Sequence, residues 1–150
     1  MPQLGLSSSI SRGKARTPIK IYQNMFDTGM IGGWTNVSAS HGLNGNFIEV
    51  TPSGTNGYVH RNFSVRGNTK YYWSVKTGTS HLLAGDKSIL FGTAAGNGVN
   101  AAVIINGSNT YYSGSFTTGA SQTTVHLALM VEVSGRAANF TNILLETYEG

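Results

Sequence analysis

Apolar and polar residues alternate along most of this chain with the two-residue period of a half-buried β-strand. The longest run places Val125, Leu127, Leu129, Val131 and Val133 on one side of a segment and Thr124, His126, Ala128, Met130 and Glu132 on the other. That pattern predicts one dry face and one wetter face. That run predicts a strand at 123–133, and shorter alternations predict others at 19–22, 47–50, 87–91, 101–105, 110–117 and 140–148, each bounded by Gly, Asn or Ser clusters. Between residues 57 and 76, Phe63 and Val65 share one side of a first arm, while Tyr71, Trp73 and Val75 share one side of a second. The intervening Arg66-Gly67-Asn68-Thr69 has turn chemistry, so this stretch reads as a β-hairpin around which the other strands are added. No segment carries a helical period, and about nine or ten strands must therefore close over one core, which means an all-β antiparallel sandwich or barrel. Trp34, Trp73 and Phe63 are the large core candidates.

Composition narrows this further. A chain of 150 residues is one domain by length and long enough to bury an independent core. It has no Cys, which excludes a disulfide framework, a thiolate zinc site and a cysteine nucleophile. The formal charge of +4 is confined to the first twenty residues, where Arg12, Lys14, Arg16 and Lys20 meet no acid, whereas six bases and six acids balance in the remainder. Residues 1–18 have no apolar periodicity and read as an extended basic N-terminal arm on a neutral body, residues 19–150. At about 3.3 Å per residue such an arm reaches roughly 60 Å, enough to cross a neighbouring subunit. Arg12, Lys14, Arg16 and Lys20 are the candidate partner-binding residues, and an acidic protein surface suits them better than nucleic acid, because the body offers no basic face, recognition helix or aromatic RNA motif. Neither a secretory leader nor a stretch of about 20 apolar residues is expected, so no membrane partner is either.

Catalytic chemistry has little to work with. The six carboxylates fall in no motif, and His41, His60, His81 and His126 lack metal-ligand spacing. The glycine-rich GTAAGNG at 92–98 lacks the Lys-Ser/Thr of a phosphate loop and reads as a strand connection, and there is no GxSxG elbow. The expectation is a protein that is not an enzyme, with no cofactor and no metal. Aromatic residues are the remaining signal: by parity Tyr72 and Tyr111 point away from their core-facing neighbours, where they offer a stacking platform to a glycan or a packing contact to a neighbouring subunit. Apolar residues on nominally outer faces, Phe47 or Ile48, Leu90, Ala102, Ile104, Met130 and Leu144, point to a surface partly covered by the arm, by loops or by another copy in a homo-oligomer.

The order of signals from Asn24 onward resembles a known family. Asn24, Phe26 and Gly29 are followed by Trp34, then by Val65-Arg66-Gly67-Asn68-Thr69-Lys70-Tyr71-Tyr72-Trp73-Ser74, and last by Phe140-Thr141-Asn142-Ile143-Leu144-Leu145. Across residues 22–148 this series is similar to the galactose-binding-like jelly roll of carbohydrate-binding modules. The resemblance implies a jelly-roll β-sandwich and a capacity for sugar binding. Many members of that family hold a structural calcium near the first and last strands; here Thr141 stands where the closing motif usually has Asp, leaving Asn24 and Asp27 as oxygen donors, and no calcium is predicted. The opening MPQLGLSSSISRG looks like the beginnings of small virion proteins of tailed bacteriophages. Taken together, the expectation is a structural virion protein: a capsid decoration, head fibre or tail appendage, oligomeric, located on the virion and gripping the major capsid or tail protein through its arm. The alternative is a carbohydrate-binding module for adsorption to cell-surface or mucus glycans.

Overall fold

Val125, Leu127, Leu129 and Val131 are all fully buried, as their alternation requires, and their strand, β10 (Thr124–Val131), lies at the centre of one of two antiparallel sheets. The computed structural model describes residues 16–27, 31–78, 86–105, 107–134 and 136–149. In the sheet of β10, β5 (Gly57–Ser64) and β7 (Lys87–Gly92) flank it, and β2 (Thr35–Val37) and β8 (Ala101–Ile104) form the edges. The other sheet is built on β11 (Ala138–Tyr148), with β6 (Lys70–Thr77) and then β9 (Tyr111–Thr117) on one side. Its other side is shared. β4 (Phe47–Pro52) pairs with the start of β11 and carries β3 (Ala39–Asn44) beyond it, while β1 (Pro18–Asn24) pairs with the rest.

A register shift against β6 between Thr141 and Leu144 explains how β11 serves so many partners. Before it, Ala138 and Phe140 are buried; after it, Ile143, Leu145 and Thr147 are. The parity of the buried side therefore changes once, at a bulge where Asn142 takes φ 48°. Asparagine is among the few L-residues that enter that region at low cost. Thr141, buried beside it, donates its hydroxyl to the Met25 carbonyl at 3.0 Å, which fastens the bulge to the end of β1. There Asn24 Oδ1 accepts the Phe26 N–H at 2.8 Å, closing a turn that buries the Phe26 ring.

The hairpin expected between residues 57 and 76 does not form. Its two arms, β5 and β6, belong to opposite sheets, and the segment between them crosses the sandwich. The face assignments hold, since Phe63, Val65, Tyr71, Trp73 and Val75 are all buried. Alternation identifies the dry side of a strand, but it is identical whether the next strand pairs alongside or packs from across the core. The crossing is bound to a second one, the 118–123 connection from β9 to β10. Val65 N–H donates to the Thr123 carbonyl at 2.9 Å, Thr69 N–H to Thr118 Oγ1 at 3.0 Å, and Thr118 Oγ1 to the Arg66 carbonyl at 2.5 Å. Gly67 has its role here: a Cβ on it would lie 2.1 Å from the Ala120 carbonyl oxygen, so the two crossings fit side by side only if residue 67 has no side chain. The positive φ of the turn, 49°, is taken by Asn68.

Aromatic rings fill the space between the sheets. Phe91 of β7 reaches Trp73 of β6 and Phe116 of β9, each at 5.3 Å between centroids, and Tyr22 of β1 meets Phe63 of β5 at 5.0 Å. Fully burying a ring such as Phe91 contributes about 1.5–3 kcal/mol. Trp34 is buried as expected, whereas β2 and β3, polar edge strands with mostly exposed residues, had no alternation to announce them. Ile48 turns inward and is fully buried, and Phe47 is the outward member of that pair. Most of the expected arm, residues 1–15 with Arg12 and Lys14, lies outside the described residues; Thr17 and Pro18 pair with Glu149 and Tyr148 beside β11.

The bulge yields a direct test. Asn142→Val puts a β-branched residue at positive φ and is expected to lower stability by about 1–2 kcal/mol, whereas Asn142→Gly should cost less. Urea unfolding midpoints check this, and equal midpoints for both variants would show that the left-handed residue is not what positions β11.

Candidate functional site

On β10 and its neighbours, the side chains opposite the core line up in rows across the ladder. Tyr58, Met130, Ser88 and Ile104 are in register in one row; His60, Ala128, Leu90 and Ala102 in the next; Asn62, His126 and Gly92 in a third. Ala128, flanked in its row by His60 and Leu90, is fully buried, and this small residue between larger ones makes the low point of the face.

The 93–100 connection between β7 and β8 folds back over this surface. The Tyr58 hydroxyl donates to the Ala95 carbonyl at 3.5 Å, and Gly96, at φ 78°, leaves no room for a Cβ against the Tyr58 ring. Asn97 Oδ1 accepts the Thr93 N–H at 3.0 Å and closes the turn. The glycine-rich 92–98 segment is thus a strand connection lying flat on a sheet. Two recesses border this connection. One, of about 530 Å³, is apolar and lined chiefly by Leu90, Val99, Ala102, Ile104 and Met130, with Glu132 at its margin. The other, of about 790 Å³, is polar and lined by Asn62, Asn100, Gln122, Thr124 and His126 among others. Val99, 72% exposed, contributes to both.

The polar recess is preorganised. Gln122 Nε2 donates to Asn100 Oδ1 at 2.8 Å and to the Thr124 carbonyl at 3.0 Å, and Asn100 Nδ2 donates back to Gln122 Oε1 at 3.0 Å. His126 in the polar recess and His60 on its β2 side have their rings 6.1 Å apart, and Nδ1 of each is buried without a hydrogen-bond partner among the described residues. Burial, and then the positive charge that His126 can carry, push the His60 imidazole below its ordinary range.

The residues nominated from sequence lie elsewhere. Tyr72 and Tyr111 are on the outer face of the β11 sheet, opposite Ser115 and Lys76 respectively, four residues apart along the ladder, or roughly 13 Å. Tyr72 is half-buried, with Tyr148 edge-on at 5.3 Å and the Lys70 ammonium 5.4 Å from its ring. Tyr111 is 58% exposed, with the Lys76 ammonium at 5.6 Å and its hydroxyl accepting from Asn142 Nδ2 at 2.5 Å. Arg16 lines a small recess with Tyr72 and Tyr148, while Lys20, exposed on β1, donates to Gln23 Oε1 at 2.8 Å. The face of His60, His126, Tyr58 and Asn62 was missed because histidines far apart in sequence were read one at a time. Their shared outward parity was visible, but the pairing of β5 with β10 that joins them was not.

No protein-family model matches the chain, and no curated protein matches it in sequence. Solved structures do match. The CBM22-1–CBM22-2 tandem domain of Paenibacillus barcinonensis Xyn10C aligns with 92% of this chain at 15% identity and TM-score 0.67, and this chain spans 48% of it. The CBM22-1 xylan-binding domain of the same protein aligns with 91% of this chain over 99% of its own length, at 13% identity and TM-score 0.60. The enzymatically active domain of bacteriophage CBA120 tailspike protein 4 aligns with 87% of this chain over 22% of its own, at 10% identity and TM-score 0.59. At such identities the likeness is one of fold. The chain has the jelly-roll sandwich of the carbohydrate-binding modules, as the resemblance in its sequence implied.

The lowered His60 pKa makes a signed prediction. Well above 6.5 the ring is neutral in the folded and the unfolded chain alike and adds no pH dependence. As pH falls below 6.5 the unfolded chain takes up the proton first, so stability falls with falling pH through the lowered folded value. Urea midpoints measured across this range should therefore decline toward acid, and His60→Gln should flatten the decline; an unchanged slope in the variant would assign the acid sensitivity to other groups.

Proposed function

We propose that this domain is a carbohydrate-binding module that takes a neutral glycan on the outer face of the β10 sheet. The observation that carries the reading is the adjacency of the two recesses on that face. Asn62, Asn100, Gln122 and Thr124 match the hydroxyl edge of a sugar, and Leu90, Val99, Ala102, Ile104 and Met130 match its C–H face. The two recesses are lined by one carboxylate, Glu132, where glycoside hydrolysis uses a pair, so the reading is one of binding and not of catalysis. Xylan binding by a domain of the same fold supports the choice of ligand class. Tyr72 and Tyr111 on the other sheet are the competing location, since each offers a ring with a lysine beside it.

A glycan array finds the ligand, and four variants place it. Asn62→Ala should weaken binding by about 1 kcal/mol, or about fivefold, for a lost hydrogen bond. Ile104→Lys, at a position 63% exposed, should weaken it by a similar factor without disturbing the core. Tyr72→Ala and Tyr111→Ala should leave binding unchanged. Loss in the tyrosine variants alone would move the site to the β11 sheet, and an array without a hit would remove the reading.

The second reading concerns where such a module is mounted. Confinement of all net charge to the first twenty residues favours a basic arm that docks on a larger assembly, and the tailspike likeness is compatible with a phage particle as that assembly. On this reading the domain is a capsid decoration, head fibre or tail appendage, carried by Arg12, Lys14, Arg16 and Lys20 on other virion proteins and present as a homo-oligomer. Deleting residues 2–15 spares β1 and should leave a folded domain that no longer enters particles. Undiminished incorporation would reject the arm as the anchor.

A further inference from the structure

His60 and His126 stand on neighbouring strands of the proposed glycan face, His126 in the polar recess and His60 in the adjoining recess of Gly33, Thr35 and Asn62, their centroids 6.1 Å apart and their planes tilted by 40°. His60 is in register with Ala128 and His126 with Asn62, so the rings are diagonal neighbours across the β5–β10 ladder. A neutral imidazole can turn an unprotonated Nδ1 toward a site that lacks a partner. An imidazolium carries N–H on both nitrogens, and here its Nδ1–H would be buried without an acceptor among the described residues. A proton on one ring also opposes a proton on the other.

The surroundings do not compensate. On β5 the Tyr58 ring lies 5.9 Å from His60, and Arg61, which shares with His60 a recess of Gly33, Thr35 and Asn62, adds a further positive charge. β2 places the non-titrating Thr35 opposite His60. β7 presents Ser88, Leu90 and Gly92, with buried Lys87 on its opposite parity. β10 presents Thr124 and Met130, and Glu132 follows its end, four residues beyond Ala128, or roughly 13 Å along the strand. The 93–100 and 119–123 connections contribute Thr93, Asn97, Asn100 and Gln122, all uncharged. Among the described residues no carboxylate stands against the pair.

Resting on the glycan reading, we infer that the His60–His126 pair makes ligand binding on this face proton-linked, so that a bound neutral glycan is released as the medium acidifies. A glycan seated across β5 and β10 strips water from both rings and brings no negative charge in exchange, which raises the cost of the charged form. Linkage then works in reverse: what makes protonation harder in the complex makes binding weaker once the rings are protonated. For each pKa unit by which the ligand lowers a ring, affinity falls about tenfold at pH values below both.

The test uses the full chain and a panel of immobilised neutral polysaccharides, xylan, β-1,4-galactan and mixed-linkage glucan, read at about pH 7.5 and about pH 5. The expected result is a loss of about tenfold on acidification that shrinks in His60→Gln and in His126→Gln, with circular dichroism showing a folded domain at both pH values. Binding that is equal at the two pH values overturns the proton link and leaves the glycan reading standing. Silence across the panel at both values removes the glycan reading and this inference with it. A loss of the same size in both variants places the titrating group elsewhere and overturns the assignment to this pair. Should the variants unfold, histidine-ring NMR on the unsubstituted chain decides: xylan bound to the face should lower the His60 titration, and an unmoved titration in the complex rejects the proposal.

Discussion

Eleven residues of β11 have to face one core from both halves of the strand, and Asn142 is where that demand is met. Without the bulge, either Phe140 or Ile143 and Leu145 would turn to the outside. With it, each half keeps its apolar side inward and offers its edge to a different strand, β4 before the bulge and β1 after it. The first strand of the chain is thereby tied to the last, by pairing along β1 and by the Thr141 hydroxyl on the Met25 carbonyl. Arg16, just before β1, consequently lies beside the β11 sheet, lining a recess with Tyr72 and Tyr148.

The same architecture builds the face of the other sheet. β5 and β10 are neighbours in one layer while β6 and β9 are neighbours in the other, so the two connections joining them cross the sandwich side by side. Their mutual hydrogen bonds, through Thr118 and Thr69 above all, hold the 118–123 segment in place. Gly119 and Gln122 of that segment form one wall of the polar recess, and Asn100 of the 93–100 connection forms another. Side chains held in this way lose little conformational freedom on meeting a ligand, which on the proposed function preserves affinity for a hydroxyl-rich partner.

The two outer faces differ in chemistry. On the β11 sheet Lys70 and Lys76 sit over exposed or half-buried tyrosine rings, which is a cationic, aromatic surface. The β10 sheet shows amides, hydroxyls, aliphatic groups and two imidazoles, a surface suited to an uncharged ligand. On the proposed function the β10 side takes the sugar, and the chemically different β11 side is left for mounting, so the two roles need not compete for the same residues.

Much of this molecule could be read before folding was considered. The inward residues of β5, β6 and β10 follow from alternation, because a pleated strand sends successive side chains to opposite sides whatever it pairs with, whereas in β11 the bulge switches that parity. The resemblance to a carbohydrate-binding jelly roll was likewise visible, since local backbone chemistry is written in the residues that perform it. Pairing was not. Val65 and Tyr71 flank a turn as they would in a hairpin, yet their strands part into different sheets, and the choice rests on contacts with Thr118, Ala120 and Thr123, some fifty residues away. For the same reason His60 and His126 could be placed on the wet sides of their strands but not beside each other: parity is a property of one strand, whereas neighbourhood on a sheet belongs to two, and only the closed sandwich specifies which two.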